Sequence, residues 1–101
     1  MSVVRVVWQN VFDKNDSGEL VQELPVIIGQ SSGCHVKPND SFGGVSPSHA
    51  RLDQAADAVV ITDLQSKNGT WLNGVQIACA PISQGDEVQI GTWRLQIFKE
   101  N

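Results

Sequence analysis

Tight-turn signals punctuate this 101-residue chain so closely that an ordinary helix has little room between them. Asp16-Ser17-Gly18, Pro38-Asn39-Asp40, Gly43-Gly44, Asn68-Gly69, Asn73-Gly74 and Gln84-Gly85-Asp86 all consist of residues that accept positive φ, preset a turn or bond their own backbone. Between them the apolar residues recur with a period of two. No window holds the i, i+3, i+4, i+7 spacing of an amphipathic helix without a glycine, proline or β-branched cluster breaking it. Trp93, Leu95 and Ile97 share one face of such a run, bracketed by Arg94, Gln96 and Lys99. Similar runs at residues 3–12, 19–28, 49–53, 58–64, 70–72, 75–77 and 87–90 predict further strands. An all-β, antiparallel β-sandwich of about ten or eleven short strands is the architecture that buries them. The longest irregular stretch, Pro38 to Ser48, is where a binding loop is expected.

A chain of this length buries roughly two thirds of its unfolded surface, enough for one core, so residues 1–101 are read as a single domain. Eleven acidic against seven basic residues leave a net charge of −4. That balance works against nucleic acid, whose binding rests on lysines and arginines neutralising phosphates. No apolar run approaches the roughly 20 residues of a membrane helix, and no secretion signal opens the chain. A cytoplasmic protein without membrane contact is expected. Cys34 and Cys79 have neither the number of a disulfide framework nor the pairing of a zinc site, and are read as reduced, half-buried thiols. A metal set of Cys34, His35, His49 and Cys79 matches no ligand template, so no metal and no cofactor are expected. Asp13-x-Asn15-x-Ser17-Gly18 opens like a calcium loop, but Leu24 stands where a bidentate glutamate is required, and it is read as a polar hairpin turn. Sequons at Asn15, Asn39 and Asn68 mean only that turns are rich in these residues.

Three segments carry the chemistry: Ile28-Gly29-Gln30-Ser31-Ser32, Ser46-Pro47-Ser48-His49-Ala50-Arg51-Leu52, and Asp63 to Gly74 with its two Asn-Gly pairs. With Gln84-Gly85-Asp86-Glu87-Val88-Gln89-Ile90-Gly91 following, their order and spacing resemble the forkhead-associated (FHA) domain over about residues 26–98. The resemblance implies an FHA/SMAD-like sandwich whose loops at one end bind phosphothreonine peptides. It implies that Ser46 donates to the phosphate, that Asn68 bonds the peptide backbone, and that His49 braces the loops from below, with Gly29 and Gly69 as conformational requirements. Asn73 is read as a turn residue.

Two departures shape the expectation. Gln30 stands where the family has arginine, and losing a charge-assisted bond of about 1.5–3 kcal/mol removes one to two decades of affinity. Pro47 replaces a residue able to donate through its N–H. Lys67, before Asn68, supplies a compensating point charge; Lys37 and Arg51 are further cations, Arg51 on a strand. The expected function is therefore a non-catalytic signalling module that binds a phosphothreonine-containing partner through Gln30, Ser46, Lys67 and Asn68. Preference over phosphoserine would come from an apolar contact to the threonine methyl. The alternative is an FHA-like scaffold that has lost phosphate recognition and binds unphosphorylated partners or itself, as a monomer or weak self-associating species. A Ser46, His49, Asp63 triad is not favoured, because a small sandwich offers little wall for a catalytic cleft and no nucleophile motif is present.

Overall fold

The computed structural model describes residues 2–39 and 43–100. Among them are β1 (Val3–Asn10), β2 (Ser17–Glu23), β3 (Val26–Ile28), β4 (Ala50–Ala55), β5 (Ala58–Asp63), β6 (Thr70–Leu72), β7 (Val75–Ile77), β8 (Cys79–Ile82), β9 (Val88–Ile90) and β10 (Trp93–Lys99). They form two antiparallel sheets, ordered β2-β1-β10-β9-β6-β7 and β3-β4-β5-β8, so the sandwich expected from the alternation is the observed fold. The inner faces meet in one core. Val4, Val6, Val88, Ile90, Trp93 and Leu95 come from the larger sheet, and Val26, Ile28, Ala50, Leu52 and Ile61 from the smaller. Burying a side chain of this size is worth roughly 1.5–3 kcal/mol relative to leaving it exposed, which is why the alternating positions dictate which face turns inward. No helix among the described residues is long and apolar enough to cross a membrane.

Four readings of the sequence are corrected here. The run over residues 19–28 is two strands, β2 in the larger sheet and β3 in the smaller, with Leu24 and Pro25 between them. The turn after β1 lies at Asp13–Asp16, where the Asp16 amide donates to the Asp13 carbonyl, and Ser17 and Gly18 already belong to β2. Gly18 is small because the Trp8 indole lies across it; an added Cβ would meet the ring at 2.4 Å. Strand β8 was not expected, since Pro81 breaks its pattern. It is tolerated on the edge beside β5, where no ladder donor is needed. Cys34 is buried and Cys79 exposed, both free, so neither is half-buried.

The register of the smaller sheet positions the loops. Ala50 pairs with Asp63 and Thr62 with Cys79, which places the 29–49 connection and the 64–69 turn at the same end of the sandwich. The β9–β10 turn joins them: the Trp93 indole N–H donates to the Asn39 carbonyl at 2.8 Å, and Gly91 packs directly on Gly44. Part of the Pro38 to Ser48 stretch, including Asp40 of one expected turn, lies outside the described residues.

Candidate functional site

The rim at this end is assembled around His49, which is fully buried. Its own backbone sits in the sheet, the amide on Ile28 and the carbonyl accepting from Leu64. Its Nδ1 accepts the Ser46 amide at 3.0 Å and must therefore be unprotonated, so Nε2 carries the hydrogen and donates to the Gly69 carbonyl at 2.8 Å. One neutral imidazole thus ties the Ser46 loop to the Asn68-Gly69 turn. This is the bracing geometry expected of it. It also separates the residues of the imagined triad: the imidazole meets the Ser46 amide, not its hydroxyl, and Nε2 goes to a carbonyl, not to Asp63.

Asp63 organises the turn from its other side. Its carboxylate accepts from the Ser66 hydroxyl, the Ser66 amide (3.2 Å) and the Thr70 hydroxyl (2.7 Å), while Ser66 Oγ accepts the Gly69 amide (2.9 Å). Burial pushes the Asp63 carboxyl up, but the hydrogen bonds from Ser66 and Thr70 outweigh it and hold the carboxyl below its ordinary value of 3.8. The Trp71 indole N–H closes the turn by donating to the Asn68 carbonyl at 3.3 Å. Gly69 sits at φ +87, a conformation that disfavours any side chain, and a Cβ there would also displace the flexible end of Gln76, 2.5 Å away.

On this support the three predicted segments converge. The Lys67 amide donates to Ser46 Oγ at 3.0 Å. A hydroxyl that accepts one bond keeps its own proton to give, and that of Ser46 has no acceptor among the described residues. Lys67 is exposed beside it and makes no ion pair among the described residues. Asn68 is exposed next to the same loop: its Nδ2 would lie 3.6 Å from a Cβ placed on Gly44, which sits at φ +108. A groove of about 320 Å³ runs from Asn68 past Trp71, Gly74, Gln89 and Gly91.

The Gln30 side is built differently. Backbone bonds lace it to the Ser46 loop, from the Gln30 amide to the Ser46 carbonyl (3.2 Å) and from the Ser31 amide to the Pro47 carbonyl (3.0 Å). Gly29 permits that approach, since a Cβ there would stand 2.3 Å from the Pro47 carbonyl oxygen. The Gln30 side-chain amide, however, turns back to the Pro38 carbonyl at 2.5 Å. Arg51 is an ion pair with Asp53 (3.0 Å) on β4. The four candidate metal ligands are separately engaged: Cys34 on the Pro47 carbonyl, His35 on the Ile27 amide, His49 as above and Cys79 on Thr62.

The sequence reading missed Trp71, Ser66 and the role of Asp63. The Asp63-x-x-Ser66 spacing, with Gly69 and Thr70 following, is the signal of a side-chain-closed turn that could have found the last two. Asn73 is a turn residue as read. At φ +49 it opens the β6–β7 hairpin, and its side chain reaches Asp86 (3.1 Å) and the Glu87 amide (2.9 Å).

Ten strands among the described residues form a sandwich whose polar loops are braced at one end by a buried histidine, the architecture of an FHA-type domain. The FHA domain family matches residues 26–91, more than half of the chain, and the chain belongs to that family. An oxoglutarate dehydrogenase inhibitor of Corynebacterium jeikeium (strain K411) is 39% identical over 51 residues; the match covers 50% of this chain and 35% of that protein's length. The FHA domain of an Arabidopsis thaliana hypothetical protein superimposes with a TM-score of 0.79 at 22% identity, covering 100% of this chain and 88% of the other. EmbR of Mycobacterium tuberculosis, solved in complex with a low affinity phosphopeptide, gives a TM-score of 0.72 at 22% identity over 92% of this chain and 24% of that one. At such identities the structural likeness speaks for the fold.

Proposed function

We propose that the chain is a non-catalytic interaction module that recognises a phosphothreonine segment of a partner protein. The phosphate lies between the Ser46 hydroxyl and the Lys67 ammonium, and Asn68 bonds the peptide backbone. The observation that carries this is the Ser46–Lys67 contact: the Lys67 amide occupies the serine oxygen, so the hydroxyl proton is left to point at an anion beside a free cation. A phosphate dianion needs converging donors and at least one positive charge, and these two residues supply the minimum of each. Gln30 in this reading shapes the loop through its backbone and its hold on Pro38, and the missing guanidinium charge is supplied from the Lys67 side. An apolar contact to the threonine methyl selects against phosphoserine. A relative named as an oxoglutarate dehydrogenase inhibitor fits a chain that acts by docking, in a cytoplasmic signalling setting where kinases prepare its ligand. Nucleic acid and membrane surfaces have no place in this reading.

The test is calorimetric titration of a phosphothreonine peptide library and its unphosphorylated twin at low and physiological salt. The expected result is at least about tenfold tighter binding of the phosphorylated form, weakening with salt. Equal affinity for the two forms overturns the proposal. It would favour the second reading, an FHA scaffold that binds unphosphorylated partners or itself, for which the inward-turned Gln30 amide is the supporting observation.

A further inference from the structure

Among the described residues the sandwich has four edge strands, and three of them are blunted. Strand β7 is three residues long, and β8 carries Pro81, which has no N–H to offer. Strand β3 is capped by its own loop: the Ile27 amide donates to His35 Nδ1, and the Ile27 carbonyl accepts from His35 and Val36. Strand β2 is the exception, with seven residues and no proline, lysine or covering segment among the described residues.

Its bonding parity can be read from the two ends of the ladder. The Leu24 amide donates to the Ser2 carbonyl and the Asn10 amide to the Asp16 carbonyl. Hydrogen-bonded pairs alternate along an antiparallel ladder, so even-numbered residues face β1. The backbone N–H and C=O groups of Ser17, Glu19, Val21 and Glu23 therefore point away from the sheet into open space. Their side chains lie together on its outer face, and Val21 is 53% exposed.

Charge decides what fits there. If a second copy added its β2 antiparallel about Val21, each Glu19 would oppose a Glu23, and like charges directly opposite are destabilising. Arg5, the cation on the neighbouring position of β1, is already held between Glu19 (3.1 Å) and Glu100 (3.7 Å) over the Phe98 ring. Glu23 has no ion pair among the described residues.

We propose that the β2 edge is a second docking surface that takes an extended basic segment of a partner protein as a seventh strand. An apolar side chain of that segment lies against Val21 and basic ones against Glu19 and Glu23. The surface is separate from the phosphate rim and does not depend on it.

The probe is a short capped peptide of sequence Lys-Thr-Val-Thr-Lys extended by threonines, compared with its Glu-for-Lys twin by amide exchange and NMR titration of the whole chain. Protection of the Glu19, Val21 and Glu23 amides is expected, with the basic peptide about tenfold tighter at low salt and the gap closing as salt rises. Val21→Pro removes one outward N–H without touching the β1 ladder, so it should abolish peptide binding while preserving the amide spectrum and the phosphopeptide titration. Glu23→Lys, which leaves every backbone bond in place, should reverse the preference between the two peptides. Failure of the three amides to gain protection, equal binding of both peptides, or unchanged binding by Val21→Pro overturns the proposal. So does protection of β2 in concentrated protein alone, which would assign the edge to a second copy.

Discussion

The two sides of the loop rim spend their polar groups in opposite directions. On the Lys67 side, buried His49 and half-buried Asp63 satisfy the backbone of the turn from beneath, which leaves the Ser46 hydroxyl, the Lys67 ammonium and the Asn68 amide facing out. On the Gln30 side, the backbone is laced to the same loop, but the side chain satisfies its own loop at Pro38. Where the resemblance implies a phosphate-facing arginine this chain has an amide turned onto Pro38, and Lys67 stands on the other side of the rim. In the proposed reading, what an anion needs is converging donors with a charge near them, so the charge moves across the rim while the hydroxyl stays.

The strongest way to break this contrast is to remove the brace. His49→Ala orphans the buried Ser46 amide and Gly69 carbonyl and empties a core position, and should lower stability by about 2–4 kcal/mol in urea denaturation. Phosphopeptide binding should fall with it as the two sides separate. Ser46→Ala comes next. It leaves the bracing bond to the Ser46 amide intact, so stability should change by less than about 1 kcal/mol while phosphopeptide affinity falls about ten- to a hundredfold by calorimetry.

Exchanging the charge across the rim sharpens the comparison. Lys67→Ala should weaken phosphopeptide binding about tenfold or less and flatten its salt dependence, and Gln30→Arg should strengthen binding by a similar factor. If both hold, the double variant should bind near the parent level. The smallest effect is in acid. Asp63 is held below its ordinary value in the fold, so the stability it adds is complete above about pH 4 and is lost as pH falls below 3.8. Denaturation midpoints measured from pH 7 downward should show an acid slope that Asp63→Asn makes shallower.

Much of the fold was legible because a period of two leaves little else to build. Strands β6 and β7 fall where Thr70 to Leu72 and Val75 to Ile77 were read, since Asn73-Gly74 allows only a two-residue hairpin between them. The misreadings share one cause. Gly18 looks like a turn residue by composition, yet its smallness answers the Trp8 ring across the ladder, a neighbour ten residues away. Pro81 looks like a break and is an edge position. In the site, Ser46, His49, Lys67 and Asn68 could be named from their motifs, whereas Trp71 could not, because a tryptophan in a short strand reads as core.

Local chemistry therefore determined the class of fold, the places where the chain must turn and the residue types available at its loops. Only the packed structure decided which way the polar groups face. Whether Gln30 donates outward or to Pro38, and whether the Ser46 proton is free, depends on which long-range neighbour satisfies each group first. Hydrogen-bond competition of that kind is settled by distances between segments far apart in the chain.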